Sequence, residues 1–135
     1  MEKLLISEEK VDSKDPMVLI SLKGAIETTN ASALEDAISR LIAEQCFRIV
    51  VDLSEVSYIS SAGWGIFISE IKRVRREEGD IKLTSMRPAV REVFELLEFN
   101  NILRPYDVRD DAINDFEPDV TSKRPSKARK TKSNT

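Results

Sequence analysis

The chain is organised around one short stretch, which reads Tyr58-Ile59-Ser60-Ser61-Ala62-Gly63-Trp64-Gly65. An apolar run at residues 48–53 leads toward it, and an amphipathic pattern with helical spacing follows it. This change of period predicts a strand, a short connection and then a helix that begins near the two serines. The first N–H groups of a helix have no partner inside it, so a serine at this point can cap them.

The two adjacent serines, Ser60 and Ser61, allow a second interpretation. They lie at the N-terminal end of the predicted helix, where the helix dipole favours negative charge. A phosphate on one of them would add about −1.5 to −2 charges at neutral pH and change the protein surface sharply. The local chemistry by itself favours the simpler alternative, in which both serines only cap the helix. Both interpretations stay open from this stretch alone.

The composition narrows the class of protein. The 135 residues suit one domain plus a tail, and a hydrophobic content of 41% is enough for a core. No apolar run approaches the roughly 18–20 residues of a membrane span, and the N-terminus lacks the pattern of a signal peptide. The one cysteine, Cys46, cannot form an internal disulfide. We therefore expect a cytoplasmic protein in which Cys46 is a small buried residue.

The chain has no histidine, which excludes several classes of catalytic and metal site. This absence excludes a Ser-His-Asp relay and a histidine zinc site, and the single cysteine excludes a thiolate metal cluster. No Ser-x-x-Lys spacing starts at Ser60 or Ser61, so a serine nucleophile would lack a good base. We therefore expect that the protein is not an enzyme and has no catalytic residues, metal or cofactor.

The net charge of −3 is unevenly distributed. Six of the 21 basic residues and none of the 24 acidic residues lie at 121–135, so residues 1–120 carry a net charge of −9. Such an acidic body argues against direct nucleic-acid binding. Residues 118–135 are rich in Ser, Thr, Lys and Arg, which predicts a disordered basic tail. We interpret the tail as a solvated extension, with nonspecific attraction to acidic surfaces as the alternative.

The chain before the serines predicts a hairpin, a helix and a third strand. The first two strands are expected at residues 3–7 and 17–23, joined by a polar connection, with the second ended by Gly24. A helix is expected at residues 31–45, capped by Asn30 or Ser32. The apolar run at 48–53 is typical of a central parallel strand that is buried on both faces.

After the serines, predicted helices and strands continue to alternate along the chain. Its predicted elements are a helix at 62–78, a strand at 81–86, a helix from Pro88 to 100–101, a weak edge strand at 102–106 and a short helix at 110–116. The residues expected to form the buried face of the third helix are Val90, Val93, Phe94 and Leu97. This order predicts an α/β fold with a mixed, mostly parallel sheet, an opening antiparallel hairpin and helical cover.

Three segments in a fixed order carry a resemblance to a known family. They are residues 22–27, residues 50–65, and residues 87–91 followed by Phe94 and Leu97. Together they resemble single-domain STAS proteins of the bacterial anti-sigma factor antagonist type. The resemblance covers about residues 1–116 and implies a STAS domain at residues 1–117, with the tail at 118–135.

The resemblance also implies a site. The family signature is Asp-Ser-(Ser/Thr/Ala)-Gly, in which the first serine after the aspartate is phosphorylated. On this chain that serine is Ser61, and Ser60 occupies the usual Asp position. The implied partner-binding residues are Glu27, Ser60, Ser61, Ala62, Gly63 and Trp64. Glu27 either borders this surface or is a solvated carboxylate, and Trp64 is either an exposed anchor or a core residue.

The function implied by the resemblance is partner switching. The unphosphorylated protein would bind an anti-sigma factor that is also a serine kinase, a GHKL-type ATPase, and so release the sigma factor. Phosphorylation of Ser61 would break this complex, and a metal-dependent serine phosphatase would restore it. A hundredfold change in binding needs only about 2.7 kcal/mol, which a phosphate in a contact surface can supply.

Two alternatives accompany this interpretation. The first is a STAS adaptor or scaffold in another bacterial signalling pathway that is not regulated by phosphorylation, which Ser60 in the Asp position favours. The second concerns the cations Lys72, Arg73, Arg75 and Arg76, which we interpret as a solvated helix face, with contact to an acidic partner as the alternative. We expect a monomer or a weak dimer.

Overall fold

The computed structural model describes residues 3–116, and a four-stranded sheet in the order β1-β2-β3-β4 forms its centre. β1 pairs with β2 antiparallel, while β2, β3 and β4 are parallel neighbours. The elements are β1 (Leu5–Lys10), β2 (Met17–Ile26), α1 (Ala31–Ala43), β3 (Arg48–Ile59), α2 (Ser61–Arg75), β4 (Asp80–Thr84), α3 (Pro88–Leu96), a 3₁₀ turn (Phe99–Asn101) and α4 (Arg109–Phe116). The predicted fold class is therefore confirmed.

Helices cover both faces of the sheet. Alternate residues of β2 point to opposite faces, so Ile20 joins the core beneath α1, α2 and α3, while Leu19 joins a smaller core beneath α4. In β3 the run Ile49-Val50-Val51 is fully buried, which confirms that β3 is a central parallel strand. Within residues 3–116, no helix combines the length and apolar character that a membrane span requires.

The two central strands run further than the sequence indicated. Gly24 does not end β2. It lies inside the strand with a φ of 113°, a conformation that glycine adopts easily, at the second of two shifts in the register between β2 and β3. β3 likewise continues to Ile59 through a polar stretch, because Val56 and Ile59 return to the core. The consequence is that β2 and β3 end side by side, immediately before the two serines.

Other bounds also shift: β1 lies at Leu5–Lys10 rather than 3–7, α1 ends at Ala43 rather than 45, α2 ends at Arg75 rather than 78, and β4 ends at Thr84 rather than 86. The region after β4 differs most. α3 ends at Leu96 rather than at 100–101, and of its four predicted core residues only Val90 and Phe94 are buried, whereas Val93 and Leu97 are exposed. The predicted edge strand at 102–106 is absent. Only a single parallel bridge joins Thr84 to Tyr106.

The last helix is confirmed close to its predicted position. The Tyr106 hydroxyl donates a hydrogen bond to the Asp115 carboxylate, and Lys82 Nζ lies 3.4 Å from the same carboxylate. These contacts hold α4 against the sheet. The predicted basic tail at 118–135 lies outside the described residues, and the domain boundary at 117 stays a prediction.

Candidate functional site

Ser60 is the single residue that connects β3 to α2. Its N–H donates to the Ile26 carbonyl oxygen (2.8 Å), so it is still paired with the end of β2. Its Oγ accepts a hydrogen bond from the Gly63 N–H (3.2 Å), and its side chain is buried, with 6% of the residue exposed. Ser60 is therefore the cap of α2, which is one of the two roles that the sequence left open for the serines.

Ser61 is the first residue of α2, and it is exposed. No hydrogen bond to its hydroxyl is formed by any residue from Lys3 to Phe116. Because Ser60 already supplies the cap, Ser61 has no structural task that occupies its hydroxyl. The structure thus separates the two serines into a buried cap and an accessible hydroxyl at the positive end of a helix.

Gly63 brings the first turn of α2 close to the sheet. A Cβ atom on Gly63 would lie 2.7 Å from Cγ2 of Ile26 and 2.9 Å from Cγ2 of Ile59. Gly65, two residues later, has open space around its Cα. Gly63 is buried and Ala62 is half-buried, so these two residues position the serines and offer little surface of their own.

Trp64 is a core residue, and the interpretation as an exposed anchor is wrong. Only 3% of it is exposed. Its ring packs against Phe67, Phe94 and Phe99, with centroid distances of 6.3, 6.0 and 5.1 Å. Within the part of the chain that the structure describes, its indole N–H has no hydrogen-bond partner. Trp64 therefore links the first turn of α2 to the segment that follows α3.

Glu27 lies at the same edge of the sheet as the serines, because it directly follows Ile26, the residue that pairs with Ser60. Asn30 fixes the turn: its Oδ1 accepts from the Glu27 N–H (2.8 Å), and its Nδ2 donates to the Ala25 carbonyl oxygen (3.0 Å). Asn30 is the residue before α1 but makes no side-chain cap to it. The backbone at Glu27 is thus fixed by this turn, and the residue is partly exposed.

Sequence reasoning missed Tyr58, an exposed aromatic residue beside this site. Tyr58 is 54% exposed and pairs with Ala25 at the end of β2. The predicted third strand stopped at residue 53, so the pattern gave no basis for assigning Tyr58 to a face. Tyr58, Glu27 and Ser61 all lie at the carboxyl end of the two central strands, and we call this end of the domain the surface around Ser61.

A groove of about 560 Å³ extends from this surface along α2. We call it the α2 groove, and its lining residues include Ser61, Ile68, Lys72, Arg73, Arg76, Leu97 and Phe99. The α2 members follow helical spacing, so they share the outer face of the helix. Nowhere within residues 3–116 do three or more acidic or cysteine side chains gather into a metal-binding group.

Comparison with known proteins identifies the family. The STAS domain family matches residues 9–112, a span that contains β2, the serines and the whole of α2. The chain belongs to the STAS domain family. The resemblance read from the sequence is therefore confirmed.

Relatives of this STAS domain are anti-sigma factor antagonists. BtrV of Bordetella bronchiseptica, which is classed as one, is 35% identical over 92 residues, covering 68% of this chain and 79% of BtrV. The crystal structure of an anti-sigma factor antagonist from Mycobacterium paratuberculosis is 27% identical, with a TM-score of 0.70 over 82% of this chain and 93% of that protein.

A third comparison supports the fold alone. SpoIIAA in its unphosphorylated form is 19% identical, with a TM-score of 0.71 over 84% of this chain and 97% of SpoIIAA. The phosphorylated form of SpoIIAA from Bacillus, at 18% identity, has a TM-score of 0.64 over 84% of this chain and all of that protein. Both likenesses show that this chain has the fold of SpoIIAA.

Proposed function

We propose that this STAS domain is an anti-sigma factor antagonist that works by partner switching in the cytoplasm. It binds an anti-sigma factor that is also a GHKL-type ATPase and serine kinase, and so frees the sigma factor. Phosphorylation of Ser61 breaks the complex, and a metal-dependent serine phosphatase restores it. The protein acts by binding and not by catalysis. The observation that carries this proposal is the accessible, unbonded hydroxyl of Ser61 beside a separate cap.

The position of Ser61 allows the domain to carry a phosphate without unfolding. The N-terminus of a helix favours negative charge, and Ser61 is the first residue of α2. The cap comes from Ser60, so modification of Ser61 leaves the hydrogen bond to Gly63 in place. The change therefore acts on the surface of the domain while its fold is maintained.

The surroundings of Ser61 explain why its phosphorylation would weaken the complex with a bound partner. Ser61, Tyr58 and Glu27 lie at one end of the sheet, where a partner that covers Ser61 must also remove its hydroxyl from water. A phosphate would add about −1.5 to −2 charges at the edge of the sheet that also carries Glu27. Repulsion and desolvation of this dianion weaken the complex, and about 2.7 kcal/mol is enough for a hundredfold loss.

Ser60 in the family's usual Asp position is compatible with this role. Serine and aspartate are both strong helix caps, and Ser60 makes the cap hydrogen bond through Oγ. The replacement leaves the helix terminus satisfied and removes one negative charge beside Ser61. In this proposal the kinase recognises Ser61 through other groups, which include Glu27 at the same edge of the sheet.

The test uses the full chain and a recombinant GHKL-type ATPase from the same organism. With ATP, we expect one phosphate on the wild-type chain and on Ser7→Ala, which removes an exposed hydroxyl of β1 outside the α2 groove, and none on Ser61→Ala. Without ATP, Ser61→Ala should bind the kinase as the wild type does, and Ser61→Asp should bind about a hundredfold more weakly. Phosphate on Ser61→Ala would contradict the assignment.

The alternative function is a STAS adaptor that is not regulated by phosphorylation, and the neutral Ser60 favours it. In an adaptor, Ser61→Asp keeps the affinity of the wild type for its partner. The same binding measurement therefore distinguishes the two functions.

A further inference from the structure

We propose that the α2 groove is a second docking site for the partner that reads Ser61, and that it receives an acidic, amphipathic segment of that partner. Lys72 and Arg76 select this segment by charge, and the apolar floor of the groove holds it. The inference rests on the proposed function, because the groove is continuous with the surface around Ser61.

The floor of the groove is apolar and partly open to solvent. Ile68 of α2 faces Leu97 and Phe99, which follow α3. Glu98, between these two residues, has a φ of 60°, and this left-handed turn directs Phe99 onto the ring of Trp64 and leaves Leu97 51% exposed. Leu96, next to it, is 77% exposed. Exposed apolar side chains clustered beside a groove are typical of a binding surface.

Two of the four cations on this half of α2 are engaged within the domain. Arg73 Nη1 donates to the buried Glu70 carboxylate (2.8 Å) and to Ser39 Oγ (3.2 Å). Arg75 Nε donates to Asp80 Oδ1 (3.0 Å), and its Nη1 donates to the carbonyl oxygen at residue 102 (2.9 Å). These two arginines therefore have structural roles.

Lys72 and Arg76 are different. Arg73 lines the groove as well, but Lys72 and Arg76 are the lining cations that form no ion pair with any residue between Lys3 and Phe116, and both are exposed. Residues 1–120 have a net charge of −9, so an acidic partner is repelled by most of the surface. A pair of uncompensated cations in one groove gives such a partner one favoured place and orientation.

Distance excludes a role for these cations in holding a phosphate on Ser61. Lys72 follows Ser61 by 11 residues, which is about 16 Å along a helix at 1.5 Å per residue, and Arg76 lies a further turn away. Charge also excludes the chain's own C-terminal segment as the occupant, because residues 121–135 carry six basic residues and no acidic ones. The groove therefore suits an acidic segment from another molecule.

The experiment measures binding of the full chain to the recombinant GHKL-type ATPase, without ATP, at low and high salt. We expect Lys72→Glu/Arg76→Glu to lower the association rate about tenfold at low salt and to flatten its salt dependence. Lys3→Glu/Lys10→Glu is the control, since it makes the same change in net charge at two exposed lysines outside the groove and should bind as the wild type. Lys72→Arg/Arg76→Lys should also bind as the wild type, because it keeps the charge.

The two proposals fail in different ways. If Lys72→Glu/Arg76→Glu associates as the wild type does while Ser61→Asp still breaks the complex, the groove inference is overturned and the proposed function stands. If the groove variant is impaired but Ser61→Asp binds normally, partner switching is overturned and the groove inference stands. Circular dichroism melting of each variant ensures that only folded proteins are compared.

Two measurements on the chain alone test other occupants. Sedimentation velocity would overturn the inference if the wild type forms a dimer that Lys72→Glu/Arg76→Glu abolishes, because the occupant would then be a second copy. Fluorescence anisotropy with a labelled single-stranded oligonucleotide would overturn it if the wild type binds tightly and the groove variant does not. We expect no such dimer and no such oligonucleotide complex.

Discussion

Replacement of Gly63 by alanine measures how closely α2 rests on the sheet. The added methyl group would lie 2.7 Å from Ile26 and 2.9 Å from Ile59, both distances shorter than normal carbon contacts. Both isoleucines are buried, and the contacts involve their Cγ2 atoms, which are attached directly to the branched Cβ and cannot swing away freely. The helix or the strand ends must therefore shift to admit the methyl group.

The magnitude follows from a comparison with Gly65→Ala. Alanine in place of glycine stabilises a helix by about 0.5–1 kcal/mol, and this gain applies to both positions. Overpacking a core costs about 1–3 kcal/mol, and this penalty applies only to Gly63, because Gly65 has open space. We therefore expect Gly65→Ala to be more stable than the wild type and Gly63→Ala to be about 1–3 kcal/mol less stable than Gly65→Ala.

The assay is urea unfolding followed by far-ultraviolet circular dichroism, with both variants and the wild type measured side by side. Equal slopes of the free energy of unfolding against urea concentration would indicate that the two alanine variants expose the same surface on unfolding. Their midpoints then report differences in stability. If Gly63→Ala proves as stable as Gly65→Ala, the first turn of α2 is not packed as the structure describes, and the account of how Ser61 is positioned is wrong.

Two further predictions concern the cap and the last helix. Ser60→Ala should lower the free energy of unfolding by about 1 kcal/mol because Gly63 N–H loses its acceptor, while Ser60→Asp should retain stability; equal melting temperatures for all three proteins would contradict the cap. Burial works to raise the pKa of Asp115, but the hydrogen bond from Tyr106 and the charge of Lys82 prevail and hold that pKa below its ordinary value. A carboxyl with a lowered pKa in the folded state stabilises the protein above its unfolded pKa of about 4, and this contribution is lost as the pH falls through the folded pKa. Asp115→Asn should therefore make stability less dependent on pH in acid, as urea titrations between neutral pH and acid would show; identical pH profiles for the variant and the wild type would refute this.

The order of the elements and the role of Ser60 were predictable from the sequence because they depend on local chemistry. Alternation between strand and helix periods identified the sheet and its cover, and a serine before a helix is a strong local signal for a cap. The same reasoning failed in the second half of β3. There Ser54, Glu55 and Ser57 interrupt the apolar pattern, and pairing with β2 maintains the strand.

The remaining errors arose where distant segments decide the outcome. Trp64 is buried because Phe99, 35 residues later, packs on it, and no local pattern reveals this contact. Leu97 has the spacing of a core residue but is exposed, because the chain leaves α3 one residue earlier and turns at Glu98. The division of the α2 cations into engaged and unengaged pairs likewise depends on Ser39 and Asp80, which belong to other elements.

The aromatic packing around Trp64 has a practical consequence. Trp64 is the only tryptophan in the chain, it follows Ser61 by three residues, and its neighbour Phe99 lines the α2 groove. Indole emission depends on the polarity and motion of its surroundings, so the domain contains a built-in optical probe between its two candidate contact regions. Events at either region can therefore be followed in the untagged protein, without a dye that would alter the surface being studied.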